Sequence, residues 1–385
     1  MDLDAFRWLL TPAGQQLLER AAQAPSDPLA ASSTLRRDAA PEHVAAALTQ
    51  AELRRKAAAK FGADAARMYF TPEGLEQATR GPVARHRAAR LTAASTGTAI
   101  DLGCGIGGDL IAVAGAGITV AGIDLDPLRV EVARANLEAL GLGGAVTVAD
   151  ATTIDHSGFE VAFADPARRS ARGRSFNVDG WTPPWPFVQG LLRRTACVKV
   201  APGIGHDLVP TDVEGEWVSD HGEVKEAALW SGALATCRRR ATVIGDGGLA
   251  TLTDEDAPEA GVRGVGAFLY EPDGAVIRAG LVTAVAAGVG GGLIDEHIAY
   301  VTADASFRTP FARSYRVLDE LPYKEKPLRA ALRERGIGRL AIKKRGVEIV
   351  PEELRKRLAL TGDSEGTIVL TRVAGKGACL LVEPF

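Results

Sequence analysis

Asp101-Leu102-Gly103-Cys104-Gly105-Ile106-Gly107-Gly108 joins a segment of strand character to one of helix character. Before it, residues 98–102 form a short apolar run with β-branched members, which predicts a buried strand. After it, residues 107–114 have the composition of a helix. The glycines between them make a tight loop, because glycine accepts positive φ and lets the backbone approach a ligand closely. Ligands of open parallel sheets bind beyond the carboxyl ends of strands, where the strand order reverses. The loop is therefore the expected binding loop of a doubly wound α/β sheet.

Strand–helix alternation continues outward from this loop. A β-branched run over 118–123 ends at Asp124, a helix starts at Pro127 and runs to 140, and a strand over 145–149 ends at Asp150. A strand over 159–164 then ends at Asp165, followed by a helix over 187–194 and a strand over 197–200. Such repeats predict a parallel sheet covered on both faces. Residues 217–219, 224–230 and 241–244 read as antiparallel closing strands. Residues 266–270 and 275–279 read as strands flanking the turn Glu271-Pro272-Asp273-Gly274.

The two ends of the chain differ from this centre. Residues 1–92 read as helical, with Phe6, Leu9, Leu10, Leu17 and Leu18 at roughly helical spacing and a restart at Thr11-Pro12. A break is expected at Ser26-Asp27-Pro28, a basic helix over 51–61, and an N-cap at Thr71 before Pro72. Residues 313–385 read as a small α+β module, with helices over 327–335 and 351–360. Its strands are expected over 315–317 and 339–343, and over 367–373 and 378–382 around Gly375-Lys376-Gly377. The expected division is 1–92, 93–312 and 313–385.

The formal net charge of −3 hides an asymmetry: residues 1–95 carry +3, residues 96–304 carry −13, and residues 305–385 carry +7. Basic ends can hold a polyanion, although solvated helix faces give the same pattern. Cys104, Cys197, Cys237 and Cys379 are far apart with no CxxC pair, so neither a zinc site nor a disulfide framework is expected. The histidines lack metal-ligand spacing. The acidic start Met1-Asp2-Leu3-Asp4 is unlike a secretory signal, and no apolar window approaches the ~20 residues of a membrane span. The expectation is a cytoplasmic protein with no membrane partner and no metal.

Gly103, Gly105 and Gly108 satisfy G-x-G-x-x-G, which alone would suit a dinucleotide. Asp101 shifts the balance. A carboxylate directly before the glycines repels a pyrophosphate but accepts from the ammonium of a methionine moiety. Asp124 suits two ribose hydroxyls, which are donors, and Asp150 can take an adenine amino group.

With these residues in order, 96–245 resembles the class I methyltransferase family, and the resemblance implies a Rossmann-like sheet that binds S-adenosylmethionine. It implies cofactor contacts at Asp101, Gly103, Gly105, Gly107, Asp124, Leu125, Asp150 and Ala151. Asp165-Pro166 is similar to the family's fourth motif and implies catalytic roles for both. In amino-group methyltransferases that motif continues Pro-aromatic, whereas this chain has Ala167-Arg168. The whole chain resembles bacterial class I methyltransferases with a C-terminal THUMP-like domain. This rests on Tyr69-Phe70-Thr71-Pro72-Glu73-Gly74-Leu75-Glu76-Gln77-Ala78, the Asp165–Arg169 segment, Leu269–Gly274 and the basic C-terminal module. THUMP domains bind RNA, so the resemblance implies an RNA substrate.

Two further features bear on that substrate. Trp181 and Trp185, in a proline-rich loop, can offer a stacking face worth ~1–3 kcal/mol per base, or can pack the loop on the sheet. Arg168, Arg169, Arg172 and Arg174 can hold phosphates, or lie on a solvated surface. A methyltransferase for a small molecule or protein, and a non-catalytic RNA-binding protein with this fold, are the rival readings.

Overall fold

In the computed structural model, residues 1–25, 27–37, 39–168 and 180–385 are described, with 28, 167 and 168 by their backbone alone. The chain forms two compact units: residues 1–213 with 228–236, and residues 214–227 with 237–385.

The first unit joins the N-terminal helices to the parallel sheet. Asp2 caps α1 (Leu3–Leu9) and Thr11 caps α2 (Pro12–Ala22), so the chain restarts at Thr11-Pro12 as its proline requires. Asp27 caps α3 (Pro28–Leu35), and the basic segment forms the second half of the longer α4 (Pro41–Phe61). Phe6, Leu9, Leu17 and Leu18 are buried in one cluster with Met68, Phe70 and Val132. Burying such side chains stabilises by roughly 1.5–3 kcal/mol each.

Thr71 accepts from Gly74 N at 3.0 Å and starts α5 (Pro72–Gln77). Lys60 holds the other end of α5, donating to the carbonyls of Leu75, Glu76 and Ala78 at 2.6, 2.7 and 3.0 Å. A cation at a helix C-terminus also opposes the helix dipole. α6 (Gly81–Ala93) then leads into the sheet.

The parallel strands are β1 (Thr98–Leu102), β2 (Thr119–Asp124), β3 (Ala145–Val148), β4 (Val161–Ala164) and β7 (Ala196–Val200). Their order is β7-β4-β1-β2-β3. α7 (Gly108–Gly115) and α8 (Pro127–Leu140) connect β1, β2 and β3. The chain moves outward from β1 to β3, then returns to β4 on the other side of β1. The crevice between β1 and β4 is therefore the switch point, and Asp101 pairs across it with Phe163. A two-stranded ribbon, β5 (Ala167–Arg168) with β6 (Trp181–Thr182), and α9 (Trp185–Leu191) precede β7.

In the second unit, β8 (Glu214–Asp220) pairs with β10 (Arg239–Gly245), which pairs with β11 (Gly248–Thr253). β9 (Glu223–Ser231) is divided between the units at residue 228. Two expectations fail here. β10 runs parallel to β8 rather than antiparallel. Alternating burial identifies a strand but is identical in either direction. Residues 275–279 are not a strand but lie in α10 (Gly274–Ala279). Asp273 accepts from Ala275 N at 2.8 Å, and Gly280 ends the helix in the left-handed region. Ala275, Val276 and Ala279 are buried at helical spacing.

A seven-stranded sheet completes this unit, in the order β13-β14-β12-β15-β18-β17-β16. Its strands are β12 (Phe268–Pro272), β13 (Gly292–Asp295), β14 (Ile298–Ala303), β15 (Ala312–Leu321), β16 (Ile337–Lys344), β17 (Ser364–Val373) and β18 (Lys376–Pro384). α11 (Val282–Gly288) precedes β13. α12 (Glu325–Glu334) and α13 (Pro351–Leu358) bury Leu328, Leu332, Leu354 and Leu358 with Ile337, Leu340 and Ile368. Among the described residues no helix is long and apolar enough to cross a membrane.

Candidate active site

The carboxyl ends of β1, β2 and β4 open into a cavity of about 470 Å³, within the range of small-molecule sites. Asp101, Asp124, Asp150 and Asp165 all line it, as do Gly103 and Gly105. Gly103 has φ 117° and Gly105 has φ 55°, and a Cβ at either would meet no atom within 4 Å. Both are strained for any other residue, and both leave open space on the loop.

Asp101 is 5% exposed, and its Oδ1 has no hydrogen-bond partner. Burial pushes this carboxyl up to about 8; Asp165 and Asp124 add to the rise, and Arg87 and Lys199 oppose it. Asp124 Oδ2 accepts from Gly105 N at 3.0 Å and its Oδ1 from Asp126 N at 3.0 Å, so the carboxylate fixes the glycine loop. Asp150 Oδ1 accepts from Thr152 N at 2.8 Å and Oγ1 at 2.7 Å, and the Thr152 hydroxyl leads in lowering its pKa. Leu125 and Ala151 line the cavity beside Asp124 and Asp150, Leu125 with 62% exposure.

The remaining expected residues sit elsewhere. Gly107 is not on the cavity wall: its φ of 86° begins α7, and a Cβ there would approach Ala133 Cβ at 3.3 Å. Pro166 is buried next to Asp165. Trp181 and Trp185 do not line the cavity but pack edge to face at 5.3 Å, and Thr182, Pro183 and Pro184 form that wall instead. Arg168 pairs by its backbone with Trp181. Arg169, Arg172 and Arg174 lie outside the described residues.

Several site residues were not singled out from the sequence. Gly74, Gln77, Ala78 and Thr79, around the end of α5, line the cavity. Lys199 Nζ on β7 lies 2.6 Å from Asp165 Oδ2. The Tyr69–Ala78 stretch signalled its importance only as a shared motif, and Lys199 carried no local signal. Among the described residues no group of three or more His, Cys, Asp or Glu is arranged to hold a metal.

The cavity fits the cofactor that the resemblance implies. An orphaned buried carboxylate oxygen at Asp101 suits an ammonium, and the open glycine loop admits a ligand against its backbone. The sheet order, the switch-point cavity and its acidic rim define a class I methyltransferase fold. A methyltransferase domain model matches residues 99–166, a THUMP domain-like model 312–384, and a domain of unknown function (DUF8688) 2–57. Two uncharacterized S-adenosylmethionine-dependent methyltransferases of Mycobacterium tuberculosis, MT3122 and Rv3037c, are each 38% identical over 336 residues. Each alignment covers 83% of this chain and 90% of the relative. A Porphyromonas gingivalis W83 crystal structure, described as a methyltransferase, shares the fold with TM-score 0.75 at 23% identity, over 99% of this chain and 97% of that one. The chain belongs to the S-adenosylmethionine-dependent methyltransferase family and carries a C-terminal THUMP-like domain. It is an enzyme, and S-adenosylmethionine is its cofactor.

Proposed function

We propose that this enzyme methylates RNA, with the cofactor held in the cavity at the ends of β1, β2 and β4. The observation that carries the cofactor placement is the set of four carboxylates, Asp101, Asp124, Asp150 and Asp165, on one cavity. Asp101 accepts from the methionine ammonium. Asp124, already anchored to the loop, accepts from the ribose hydroxyls, and Asp150 takes the adenine amino group. Gly103 and Gly105 let the backbone close on the ligand, flanked by Leu125 and Ala151.

S-adenosylmethionine supplies a methyl group already activated by its sulfonium. The protein's part is alignment and exclusion of water. Asp165 Oδ1 accepts a hydrogen bond from the nucleophile and fixes its lone pair, while Pro166 holds the turn. Arg168 and Arg169, directly after, are assigned to substrate phosphates by their position in the sequence.

The THUMP-like match and the basic C-terminal module support RNA as the substrate class. Many of the module's cations are paired: Arg335 with Asp319, Arg339 with Glu365 and Arg357 with Glu325. Among the described residues, Lys324, Lys326, Lys344 and Lys356 are exposed and outside such pairs, so they are available to phosphates. The test is incubation with labelled methyl donor and separate pools of RNA, protein and metabolites from cells lacking the enzyme. Label in RNA is expected; label confined to protein or metabolites would replace RNA with that class.

A further inference from the structure

Asp165 is the half-exposed end of a polar chain whose inner members, Thr79, Asp109 and Arg87, are buried. Cys197 pairs with Phe163 and Val198 with Ala164, which brings Lys199 of β7 beside Asp165. Besides its 2.6 Å contact with Asp165 Oδ2, Lys199 Nζ donates to Thr79 Oγ1 at 3.2 Å. Thr79 in turn donates to Asp109 Oδ2 at 2.7 Å, and Arg87 holds the other oxygen of Asp109. Arg87 is 2% exposed, with its guanidinium carbon 4.5 Å from the Phe163 ring centroid. The Lys199 side chain is 16% exposed, so its charge is poorly screened by water.

Such a chain does two things to Asp165. It ties up Oδ2, leaving Oδ1 with no partner among the described residues. It also places a fixed cation against the carboxylate, beside a cavity that already carries Asp124 on its wall. The cofactor and its product differ by one positive charge, since the sulfonium becomes a neutral thioether. A bare Asp165 would favour the charged form and hold it back from conversion.

We propose that Lys199 is a positioning residue that presents Asp165 Oδ1 to the nucleophile and cancels the Asp165 charge toward the cofactor's sulfur. The proposal rests on the reading that the cofactor binds in this cavity. Thr79 completes the arrangement by orienting the Lys199 ammonium from the α5–α6 side, which makes the N-terminal helices part of the reaction site.

Calorimetry with S-adenosylmethionine and S-adenosylhomocysteine tests this without knowledge of the substrate. Lys199→Met should shift the affinity ratio toward the cationic ligand by on the order of tenfold. Asp165→Asn, which leaves the ammonium uncompensated, should shift it the opposite way. The double variant and Lys199→Arg should stay near the wild-type ratio. A purely structural role would weaken both ligands alike. Should Lys199→Met not fold, Lys199→Gln makes the same test, because it also removes the charge while leaving the Asp165 carboxylate in place. Both ligands binding with a ratio unmoved in the uncharged Lys199 variant overturns the proposal alone. Wild-type protein that binds neither ligand overturns the cavity reading and the proposal with it.

Discussion

Asn136 and Tyr69 exchange two hydrogen bonds: Tyr69 N donates to Asn136 Oδ1 at 2.6 Å, and Asn136 Nδ2 donates to Tyr69 O at 3.0 Å. The same amide donates to Ile106 O at 2.9 Å, inside the glycine loop. Gln50 does the equivalent for Phe70, accepting from its N–H and donating to its carbonyl. Two carboxamides thus satisfy both backbone groups of two consecutive residues, and one of them also anchors the cofactor loop to the helical region.

Asn136→Ala leaves three buried backbone groups without this partner. It should destabilise the protein by about 2–4 kcal/mol. Denaturant unfolding with an unchanged slope would give the figure. Asn136→Asp, which keeps the shape but loses both donors, should also destabilise.

Cofactor binding should release a proton. The Asp101 carboxyl, pushed up to about 8 by burial, is mostly protonated at pH 6–7, and it must ionise to accept an ammonium. Titrations in buffers of different ionisation enthalpy should show release approaching one proton there and declining above pH 8. Release of none across the range would remove Asp101 from the ammonium role. The stability sign is opposite. Asp101's contribution is fully present below its ordinary value of 3.8 and is lost as pH rises through about 8. Melting of the ligand-free protein should follow.

Asp124→Ala should weaken S-adenosylhomocysteine binding by roughly 1.5–3 kcal/mol, because the lost bonds involve a charged acceptor. Part of the loss comes through the glycine loop, since Gly105 N loses its acceptor. Asp124→Asn, which keeps an acceptor, should lose less. Equal affinity in all three proteins would contradict the ribose assignment.

The RNA reading is tested on the intact chain. β15 lies within the seven-stranded sheet, paired with both β12 and β18, so removing residues 313–385 would break that sheet. Replacing Lys344 and Lys356 with Gln instead should lower the salt dependence of RNA binding by roughly 0.7–0.9 in slope for each phosphate no longer neutralised. An unchanged slope and affinity would remove these two lysines from the RNA surface.

The acidic rim was legible because each member lies at or just past the end of a strand, and strand ends follow from local pattern. The α/β class followed from the same alternation. Lys199 was not legible: its partners Asp165 and Thr79 are 34 and 120 residues away, and only the strand order brings them together. Gly107 illustrates a motif residue with a local reason of its own, since its φ of 86° at the N-cap of α7 favours glycine and it does not line the cavity. The 275–279 segment misled because β-branched Val276 and Ile277 follow a turn signal, while the Asp273 cap and Gly280 favour a helix.

The most direct measurement is labelled methyl transfer from S-adenosylmethionine to RNA by wild-type protein and Asp165→Ala, each checked by thermal melt and by cofactor titration. Label should enter RNA with the wild type, and the variant should lose on the order of a hundredfold in rate, the scale expected when alignment is removed. A folded, cofactor-binding Asp165→Ala protein that methylates RNA at the wild-type rate would contradict the catalytic assignment of Asp165.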